Sequence, residues 1–349
     1  MAVLTLNAML YADQRWIGNH GIGRFARHVL GALDYVPIRL RSNPAAPLDS
    51  WRLARALANL NGRDVFFSPG YNTPLFCRSP FVFTIHDLSH FYCPENSSAA
   101  IRLYYATILK RACRHAAKIL TVSEFTRQQI IEWTGVNEEK VFNVGCGVDA
   151  AYHPGHETYG LPFPYLLCVS NRKEHKNEFR LVEAFAKAAI DDSIRLVFTG
   201  RPEETIVRWI GRHRLSDRVV FLGVIPENKL PSLYRGARAL VFPSLYEGFG
   251  LPVLEAMACG TPAVTSNVTA MPEIAGDAAL LVEPTCVEEI ARAIERIVED
   301  EALRERLRQR GAKRVVLFPW TRTCVRVRQE LASLSGHHEE EIVSRRRTA

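Results

Sequence analysis

The chain has 349 residues, enough for about two domains, and its 47% hydrophobic and 23% charged residues are typical of a globular protein. Its 44 Lys and Arg residues exceed its 37 Asp and Glu residues, and the net charge of +7 suits a phosphorylated substrate, an anionic membrane surface or nucleic acid. Because the basic residues are dispersed and form no nucleic-acid-binding motif, we expect no nucleic-acid partner.

The first half alternates short apolar runs with helical stretches, which predicts a parallel sheet covered on both faces. Strands are predicted at "AVLTLNAML", "YVPIRL", "DVFFSP", "FVFTIHD" and "KILTVSE". Helices are predicted at "GIGRFARHVLGAL", "SWRLARALANL", "SSAAIRLYYATILKRACRHA" and "SEFTRQQIIEWT". The start has no basic leader and nowhere do about 18 apolar residues follow one another, so we expect neither a signal peptide nor a membrane-spanning helix.

The second half repeats this alternation after a stretch rich in Pro, Gly and Tyr at 149–164. Strands are predicted at "YLLCVS", "RLVFTG", "VVFLG", "ALVFPS", "TPAVTS" and "ALLVEP". Helices are predicted at "NEFRLVEAFAKAAI", "PENKLPSLYRGA", "LPVLEAMACG", "CVEEIARAIERIVEDEALRERLRQRGAKRV" and, after "FPW", "TRTCVRVRQELASL". The pattern predicts an α/β fold of two Rossmann-like domains, residues 1–160 and 161–320, with a cleft between them. A helix at about 321–335 and a polar, flexible tail at 336–349 follow.

The segment "EGFGLPVLE" predicts an anion site between a buried strand and a helix. Gly248 and Gly250 let backbone N–H groups approach a ligand, and the helix that begins at Leu251 offers its positive end to a diphosphate. Glu255 lies one turn into that helix, where its carboxylate can accept hydrogen bonds from the vicinal hydroxyls of a ribose. Glu247 lies on the other side of the phosphates, within reach of a sugar. The alternative is a plain turn with two solvated glutamates.

The same segment, followed by "AMACGTPAV", resembles the signature of retaining glycosyltransferases of the GT4 family, which have the GT-B fold. The order of "YLLCVSNRKEHKN", "VVFLGVIPENKLPSLYRGARALVFPS" and "PEIAGDAALLVEP" is also similar, so the resemblance covers most of residues 165–320. In the first half it rests on "GIGRF", "TIHDL", "TVSEFTRQQI" and "GVD". The resemblance implies a C-terminal helix that returns to the N-terminal domain.

The resemblance also implies roles for individual residues. Glu255 would hold the ribose of the donor, Glu247 would face the transferred sugar, and Lys176 would neutralise the diphosphate. The backbone amides that would contact the phosphates belong to Gly248, Phe249, Gly250 and Leu251. The family has a second basic residue near the lysine, and here the candidates are Arg172, Lys173 and His175, of which we favour Arg172.

No metal or cofactor is expected. The chain has no D-x-D triplet of the kind that other glycosyltransferases use to bind a metal ion, and fixed cations with helix-end amides can stabilise the leaving diphosphate. The eight scattered cysteines include no C-x-x-C pair, which argues against a zinc site and indicates reduced thiols in a cytosolic compartment.

The first half contains a second glycine motif, Gly21-x-Gly23-x-x-Ala26, which matches a dinucleotide-binding fingerprint. The glycines do not directly follow the first strand, and "RLRS" stands where the ribose-binding acid belongs. Because an arginine there suits a 2′-phosphate, an NADP-dependent oxidoreductase stays an alternative. The GT4 resemblance instead makes this a loop across the cleft from the donor phosphates, where Arg24 contacts phosphate or acceptor, unless it is a surface residue.

His86 ends a predicted strand, the position where ligands of α/β proteins collect. In the family the matching histidine lies beside the transferred sugar; the alternative is a core histidine bonded to Asp87. The region between Glu95 and Glu124 has no acidic residue, and its basic helix face predicts either a phospholipid or lipid-diphosphate contact or a merely solvated face. Its cations are Arg102, Lys110, Arg111, Arg114 and Lys118.

Taken together, the sequence predicts a retaining, metal-independent hexosyltransferase that uses a nucleotide sugar. The branch that it resembles favours GDP-mannose as the donor, with UDP-hexoses as the next candidates. It also favours a saccharide acceptor, in most cases lipid-linked, in surface polysaccharide (O-antigen or exopolysaccharide) biosynthesis. We expect a cytoplasmic protein that is either soluble or attached to the inner face of the plasma membrane. A GT-B protein that binds nucleotide as an inactive partner subunit is the other alternative.

Overall fold

The computed structural model describes residues 8–46, 48–93, 95 and 97–347, with side chains up to residue 334. Contacts divide the chain into two compact units: the first holds the described residues up to Gly147 and those from Trp320 onward, and the second is Val148–Pro319. The division therefore falls before residues 148–160, which the sequence had placed in the first domain. These residues pack on the second unit, because Tyr152 is buried with its ring 5.9 Å from that of Tyr234, and the Tyr159 amide donates to the Ser232 carbonyl.

The first unit contains a six-stranded parallel sheet in the order β2-β1-β3-β4-β5-β6. Its strands are β1 Leu10–Ala12, β2 Val36–Pro37, β3 Val65–Ser68, β4 Phe81–Ile85, β5 Lys118–Thr121 and β6 Val141–Asn143. Its helices are α1 Gly21–Gly31, α2 Asp49–Ala56, α3 Ser89–Tyr92, α4 Ala99–Tyr104, α5 Lys110–His115, α6 Glu124–Thr134 and α14 Trp320–Arg347. The first predicted strand starts at residue 2, and its residues 2–7 lie outside the described residues.

The second unit contains another six-stranded parallel sheet, in the order β12-β11-β10-β7-β8-β9. Its strands are β7 Tyr165–Cys168, β8 Arg195–Phe198, β9 Val219–Phe221, β10 Ala239–Phe242, β11 Ala263–Ser266 and β12 Leu280–Val282. Its helices are α7 Glu178–Lys187, α8 Glu204–Arg212, α9 Leu230–Gly236, α10 Leu251–Ala258, α11 Met271–Ala275, α12 Val287–Glu299 and α13 Glu301–Val315.

The central strands are buried and mostly apolar because helices cover both faces of each sheet. All residues of β4 and β10 are buried, as the continuous apolar runs predicted. In the second unit, apolar residues of α7 and α12 pack on one face of the sheet, and those of α9 and α10 pack on the other face.

Two predicted helices are interrupted. The long helix predicted over 286–315 breaks at Asp300, which caps α13 by accepting a 2.7 Å hydrogen bond from the Leu303 amide. The helix predicted over 97–116 contains a π-helical turn at Tyr105–Leu109 between α4 and α5. In both cases the apolar periodicity continues through the interruption, so the sequence pattern did not reveal it.

The C-terminal helix belongs to the first unit, as predicted. The ring of Trp320 stacks on His28 at 4.4 Å, the Cys324 thiol donates to the His28 carbonyl, and Lys118 pairs with Glu330. The helix runs to Arg347, beyond the end predicted near residue 335.

No helix within the described part of the chain is long and apolar enough to cross a lipid bilayer.

Candidate functional site

The predicted lysine and first glutamate meet at the carboxyl ends of two neighbouring strands of the second unit. Lys176 lies after β7 and Glu247 lies after the neighbouring strand β10. The Lys176 Nζ is 2.6 Å from Glu247 Oε1. The same carboxylate oxygen accepts a 2.7 Å hydrogen bond from the Ser244 hydroxyl. The Lys176 and Glu247 side chains are 14% and 12% exposed, so both charged groups are largely shielded but can still reach a ligand.

Local conformation holds the lysine there. A 3₁₀ turn at Glu174–Lys176 follows β7 and ends at Asn177, which has the left-handed conformation at φ 60°. The Lys176 ammonium lies 5.3 Å from the centroid of the Phe242 ring, at the end of β10. Such a contact with the face of an aromatic ring attracts the ammonium group and helps to hold it in this position.

Two residues that the sequence did not single out fix Glu247. The first is Ser244, whose hydroxyl binds the carboxylate, as described. The second is Thr269, whose hydroxyl accepts a 3.3 Å hydrogen bond from the Glu247 amide. Thr269 has φ 59°, a left-handed conformation that a β-branched residue rarely adopts and that often occurs at functional sites. Ser244 lies two residues after the end of the apolar strand β10, and that position was the only signal for it. Thr269 gave none.

The glycine loop precedes α10, as predicted. Gly250 caps the helix at φ 100°, a conformation that requires glycine, and a Cβ there would also lie 2.7 Å from the Met271 sulfur. The Phe249 ring is buried and contacts Phe318 edge-on at 5.9 Å, which anchors the loop. Leu251 is the first residue of α10.

The second glutamate of the signature is deeply buried. Glu255 is 1% exposed, and its Oε2 accepts a 2.7 Å hydrogen bond from the Tyr234 hydroxyl. Tyr234 is itself fully buried. A buried polar group needs such a hydrogen bond in place of those that it loses to water. The sequence pattern predicted Glu255 but not Tyr234, which is on the separate helix α9.

Arg172, the favoured second cation, has other partners in the structure. Its Nη1 lies 2.8 Å from Glu178 Oε2, and its Nη2 donates to the Thr199 carbonyl. The guanidinium carbon lies 5.0 and 5.2 Å from the ring centroids of Phe198 and Phe221. Burial raises the pKa of Glu178. Arg172 thus anchors the loop after β7 in this structure. Of the other two candidates, Lys173 is exposed and His175 is buried.

In the first unit, His86 follows β4 and is 8% exposed. Its Nε2 lies 2.8 Å from the Pro69 carbonyl, which can only accept, so this nitrogen donates. The ring makes edge contact with Phe25 at 4.9 Å. Burial lowers the pKa of His86 to about 4, so the imidazole is neutral at pH 7. The alternative of a bond to Asp87 is not what the structure shows, since Asp87 Oδ1 accepts from the Ser89 amide.

The first-unit glycine motif forms the first turn of α1. His20 caps the helix, and its Nδ1 accepts a 3.1 Å hydrogen bond from the Gly23 amide. A Cβ on Gly23 would lie 2.4 Å from the Gly18 carbonyl oxygen, so close backbone packing requires this glycine. Gly21 and Arg24 are in the same turn. Residues 13–20 separate this turn from β1, unlike the direct strand-to-helix turn of a dinucleotide fingerprint.

Buried charges hold the segment before α1. The Arg15 guanidinium binds Asp13 at 2.7 Å and Asp49 at 2.6 Å, and Asn72 donates to Asp13 as well. Hydrogen bonds to the two carboxylates raise the pKa of Arg15 despite the opposing effect of burial. The backbone that leads into Gly21 is therefore tied to the adjacent α2 and to the loop after β3.

The basic region of the first unit exposes apolar side chains beside its cations. Leu103 on α4 is 63% exposed and Phe76 is 59% exposed. Phe76, Arg78 and Arg111 line a cavity of about 480 Å³ between the loop after β3 and the π-turn and α5. Of the predicted cations, Lys118 is paired with Glu330.

Comparison with known proteins identifies related families and folds. The model of the family described as "Glycosyl transferases group 1" matches residues 160–314, and that of the family described as "Glycosyltransferase Family 4" matches residues 15–152. The O-antigen chain mannosyltransferase B of Escherichia coli is 34% identical over 253 residues, which are 68% of this chain and 66% of that protein. The chain thus matches just under two thirds of the length of this relative.

Solved structures share the fold. The sucrose-phosphate synthase of Thermosynechococcus elongatus superposes with a TM-score of 0.74 at 20% identity. The match covers 94% of this chain and 100% of the synthase chain. HepE of Anabaena, solved in complex with UDP and glucose, has a TM-score of 0.70 at 17% identity with the same coverage. These similarities and the two parallel sheets confirm the predicted α/β class of GT-B type.

Proposed function

This chain belongs to glycosyltransferase family 4, and from that premise we propose that it transfers a hexose from a nucleoside diphosphate sugar to a saccharide acceptor, with retention at the anomeric carbon. The observation that carries the proposal is the pair of Lys176 and Glu247 joined at 2.6 Å beside the glycine loop. A cation, a carboxylate and a helix start within one cluster of loops suit a ligand with both phosphates and hydroxyls.

Lys176 and the start of α10 are proposed to bind the diphosphate. As the bond from the anomeric carbon to the phosphate breaks, negative charge develops on the leaving group, and fixed positive groups stabilise it. Lys176 supplies a full charge, and the eight-residue helix supplies its positive end. These groups do the work that a metal ion does in other glycosyltransferases, so we propose that transfer needs no metal.

The two glutamates are proposed to bind different parts of the donor. Glu247 accepts hydrogen bonds from the hydroxyls of the transferred sugar, and Glu255 accepts them from the ribose. Tyr234 donates a hydrogen bond to Glu255 Oε2 and so orients this carboxylate. In the first unit, the neutral His86 suits an uncharged sugar hydroxyl.

Retention is proposed to follow a same-face substitution. The acceptor hydroxyl oxygen forms the new bond to the anomeric carbon on the side that the diphosphate leaves, and its proton passes to the leaving phosphate oxygen. A covalent intermediate would instead need a carboxylate free to attack the anomeric carbon. Glu247, whose Oε1 is bound by both Lys176 and Ser244, is held as an acceptor of hydrogen bonds.

The donor and acceptor are proposed from the similarity to the O-antigen chain mannosyltransferase. We propose GDP-mannose as donor and a lipid-linked saccharide of a surface polysaccharide as acceptor. A lipid-linked acceptor lies at a membrane, and the exposed Leu103 and Phe76 beside Arg102, Arg78 and Arg111 suit an anionic lipid surface. The protein would then act in the cytoplasm, at the inner face of the plasma membrane.

The test is transfer from GDP-mannose and from UDP-glucose to short mannosides, with the anomeric configuration of the product read by NMR. We expect an α-linked product from an α-linked donor, formed equally with and without EDTA. Glu247→Gln should remove most of the activity, whereas the exposed Glu204→Gln in the same unit should not. A product of inverted configuration, or loss of activity with EDTA, would contradict the mechanism.

A further inference from the structure

We propose that Asn177 is a positioning residue that sets Lys176 against Glu247. The inference deepens the proposed function and rests on it, because it concerns the two charged groups assigned to the donor. Asn177 is 3% exposed, and its φ of 60° lies in the left-handed region. It ends the 3₁₀ turn that carries Lys176 and begins α7, so its conformation decides the direction in which the lysine leaves the backbone.

The Asn177 side chain ties three loops together. One Nδ2 hydrogen bond of 2.9 Å goes to the Pro243 carbonyl, directly after β10, and another of 2.6 Å goes to the Pro284 carbonyl, after β12. The amide oxygen accepts a 2.9 Å hydrogen bond from Arg180 on α7. Both donors and the acceptor of this amide are therefore used, and each partner lies on a different segment.

The bond to Pro243 is one of two that bracket the site. Leu245 donates its amide to the His175 carbonyl at 2.8 Å, and Asn177 donates to Pro243. Lys176 lies between His175 and Asn177 in the chain, and Ser244 lies between Pro243 and Leu245. These two middle residues are the ones that meet on Glu247 Oε1. The bracket thus fixes the register of the two loops at the point where their side chains converge.

Asparagine meets both requirements of the position. It adopts the left-handed conformation more readily than other non-glycine residues. It also supplies two N–H donors, which aspartate lacks and glycine does not provide. Asn177→Gly therefore keeps the backbone conformation and removes the side-chain hydrogen bonds to Pro243 and Pro284, and Asn177→Asp keeps the shape and removes the two N–H donors. Arg214→Gly is the control for the change of backbone. Arg214 lies after α8, is exposed and has the same left-handed conformation, with φ 57°.

The experiment is a double-mutant cycle of Asn177→Gly with Lys176→Ala. Calorimetry measures the Kd of whichever of GDP, UDP and ADP binds the wild type most tightly, and a turnover assay with the matching sugar donor measures kcat. Because small misplacements of a positioned group cost up to about 100-fold, we expect Asn177→Gly and Asn177→Asp to lower kcat roughly tenfold or more. In the Lys176→Ala background, Asn177→Gly should change the Kd little. Arg214→Gly should match the wild type.

Equal loss of affinity from Asn177→Gly in both backgrounds would overturn the inference, because the effect of Asn177 on binding would then not depend on the lysine. Unchanged kcat in Asn177→Gly and Asn177→Asp would overturn it as well. Melting temperatures of the same four proteins, measured without ligand, separate failure of the positioning role from failure of the proposed function. If wild type binds no nucleoside diphosphate but the melting temperatures are non-additive, the positioning role stands and the donor assignment fails.

Discussion

The two units place different chemistry at the carboxyl ends of their sheets. In the second unit the loops after β7 and β10 bring opposite charges together, with Lys176 and Glu247 at 2.6 Å. In the first unit the end of β4 carries His86, which burial keeps neutral at pH 7 because its pKa is lowered to about 4. One architecture thus builds a site suited to a charged diphosphate and a second site suited to uncharged hydroxyls. The difference lies in the loops.

The charged site should respond most strongly to loss of its cation. We expect Lys176→Ala to lower kcat/KM by about 10²- to 10³-fold, the usual effect of removing one group that stabilises developing charge. The measurement is steady-state transfer from the nucleotide sugar. Lys187→Ala, which removes an exposed lysine of the nearby helix α7, is the matched control and should leave kcat/KM unchanged. A similar loss in both variants would remove the special role of Lys176.

The neutral site should make stability depend on pH. The pKa of His86 is lowered to about 4 by burial, with the nearby Asp87 raising it and His20 lowering it slightly. Between the unfolded value near 6.5 and 4, the unfolded chain binds more protons, so stability falls as pH falls through this window, by up to about 3 kcal/mol. Unfolding of wild type and His86→Gln at pH 7.5 and 4.5 measures this contribution.

The His86→Gln variant should lose less stability than wild type between those two pH values. Exposed His115 in the same unit, changed to glutamine, should behave as wild type does. An equal pH dependence in wild type and His86→Gln would mean that His86 is not held neutral by the fold.

Two glycines of α1 give a packing test in the first unit. A Cβ on Gly23 would lie 2.4 Å from the Gly18 carbonyl oxygen, whereas a Cβ on Gly31 would contact nothing within 4 Å. We expect Gly23→Ala to destabilise by about 1–3 kcal/mol through overpacking. Gly31→Ala should be neutral or stabilise by up to about 1 kcal/mol. Thermal unfolding measures both, and equal melting temperatures would show that Gly18 and Gly23 are not packed as described.

A smaller effect is expected at the buried glutamate. Tyr234→Phe removes the 2.7 Å hydrogen bond to Glu255 and should weaken nucleoside diphosphate binding by about 1 kcal/mol, roughly fivefold. Calorimetry measures this change, with the half-buried Tyr159→Phe as control. Unchanged affinity in Tyr234→Phe would show that the tyrosine does not orient Glu255 for the ligand.

The sequence predicted most of the fold because buried parallel strands are continuous apolar runs. It did not predict β6, whose three residues are too few for a periodicity, or helix α8, although its apolar residues Ile206 and Ile210 recur at helical spacing. The break at Asp300 has a local signal, since aspartate is a common N-cap, but the apolar pattern on both sides concealed it.

The site was predictable only where chemistry follows the chain locally. The glycine loop, Glu247 and Glu255 share one short segment, so their spacing carries the signal. Ser244 and Tyr234 act through contacts with residues of that segment, and their own positions in the sequence do not indicate these contacts. Arg172 was favoured by its place before Lys176, yet its partner Glu178 is six residues further on and becomes a neighbour only through the left-handed turns at Arg172 and Asn177.

The most direct test of the donor site is calorimetric binding of GDP, UDP, ADP and NADPH, with and without EDTA, to wild type and to Glu255→Gln. We expect saturable binding of one nucleoside diphosphate, unaffected by EDTA and weakened in Glu255→Gln. Bound ligand at 100 times its Kd should add about 2.7 kcal/mol to the stability, which a thermal shift would detect independently. Binding of NADPH alone, with no binding of any diphosphate, would contradict the donor site and favour a dinucleotide site at the Gly21 turn.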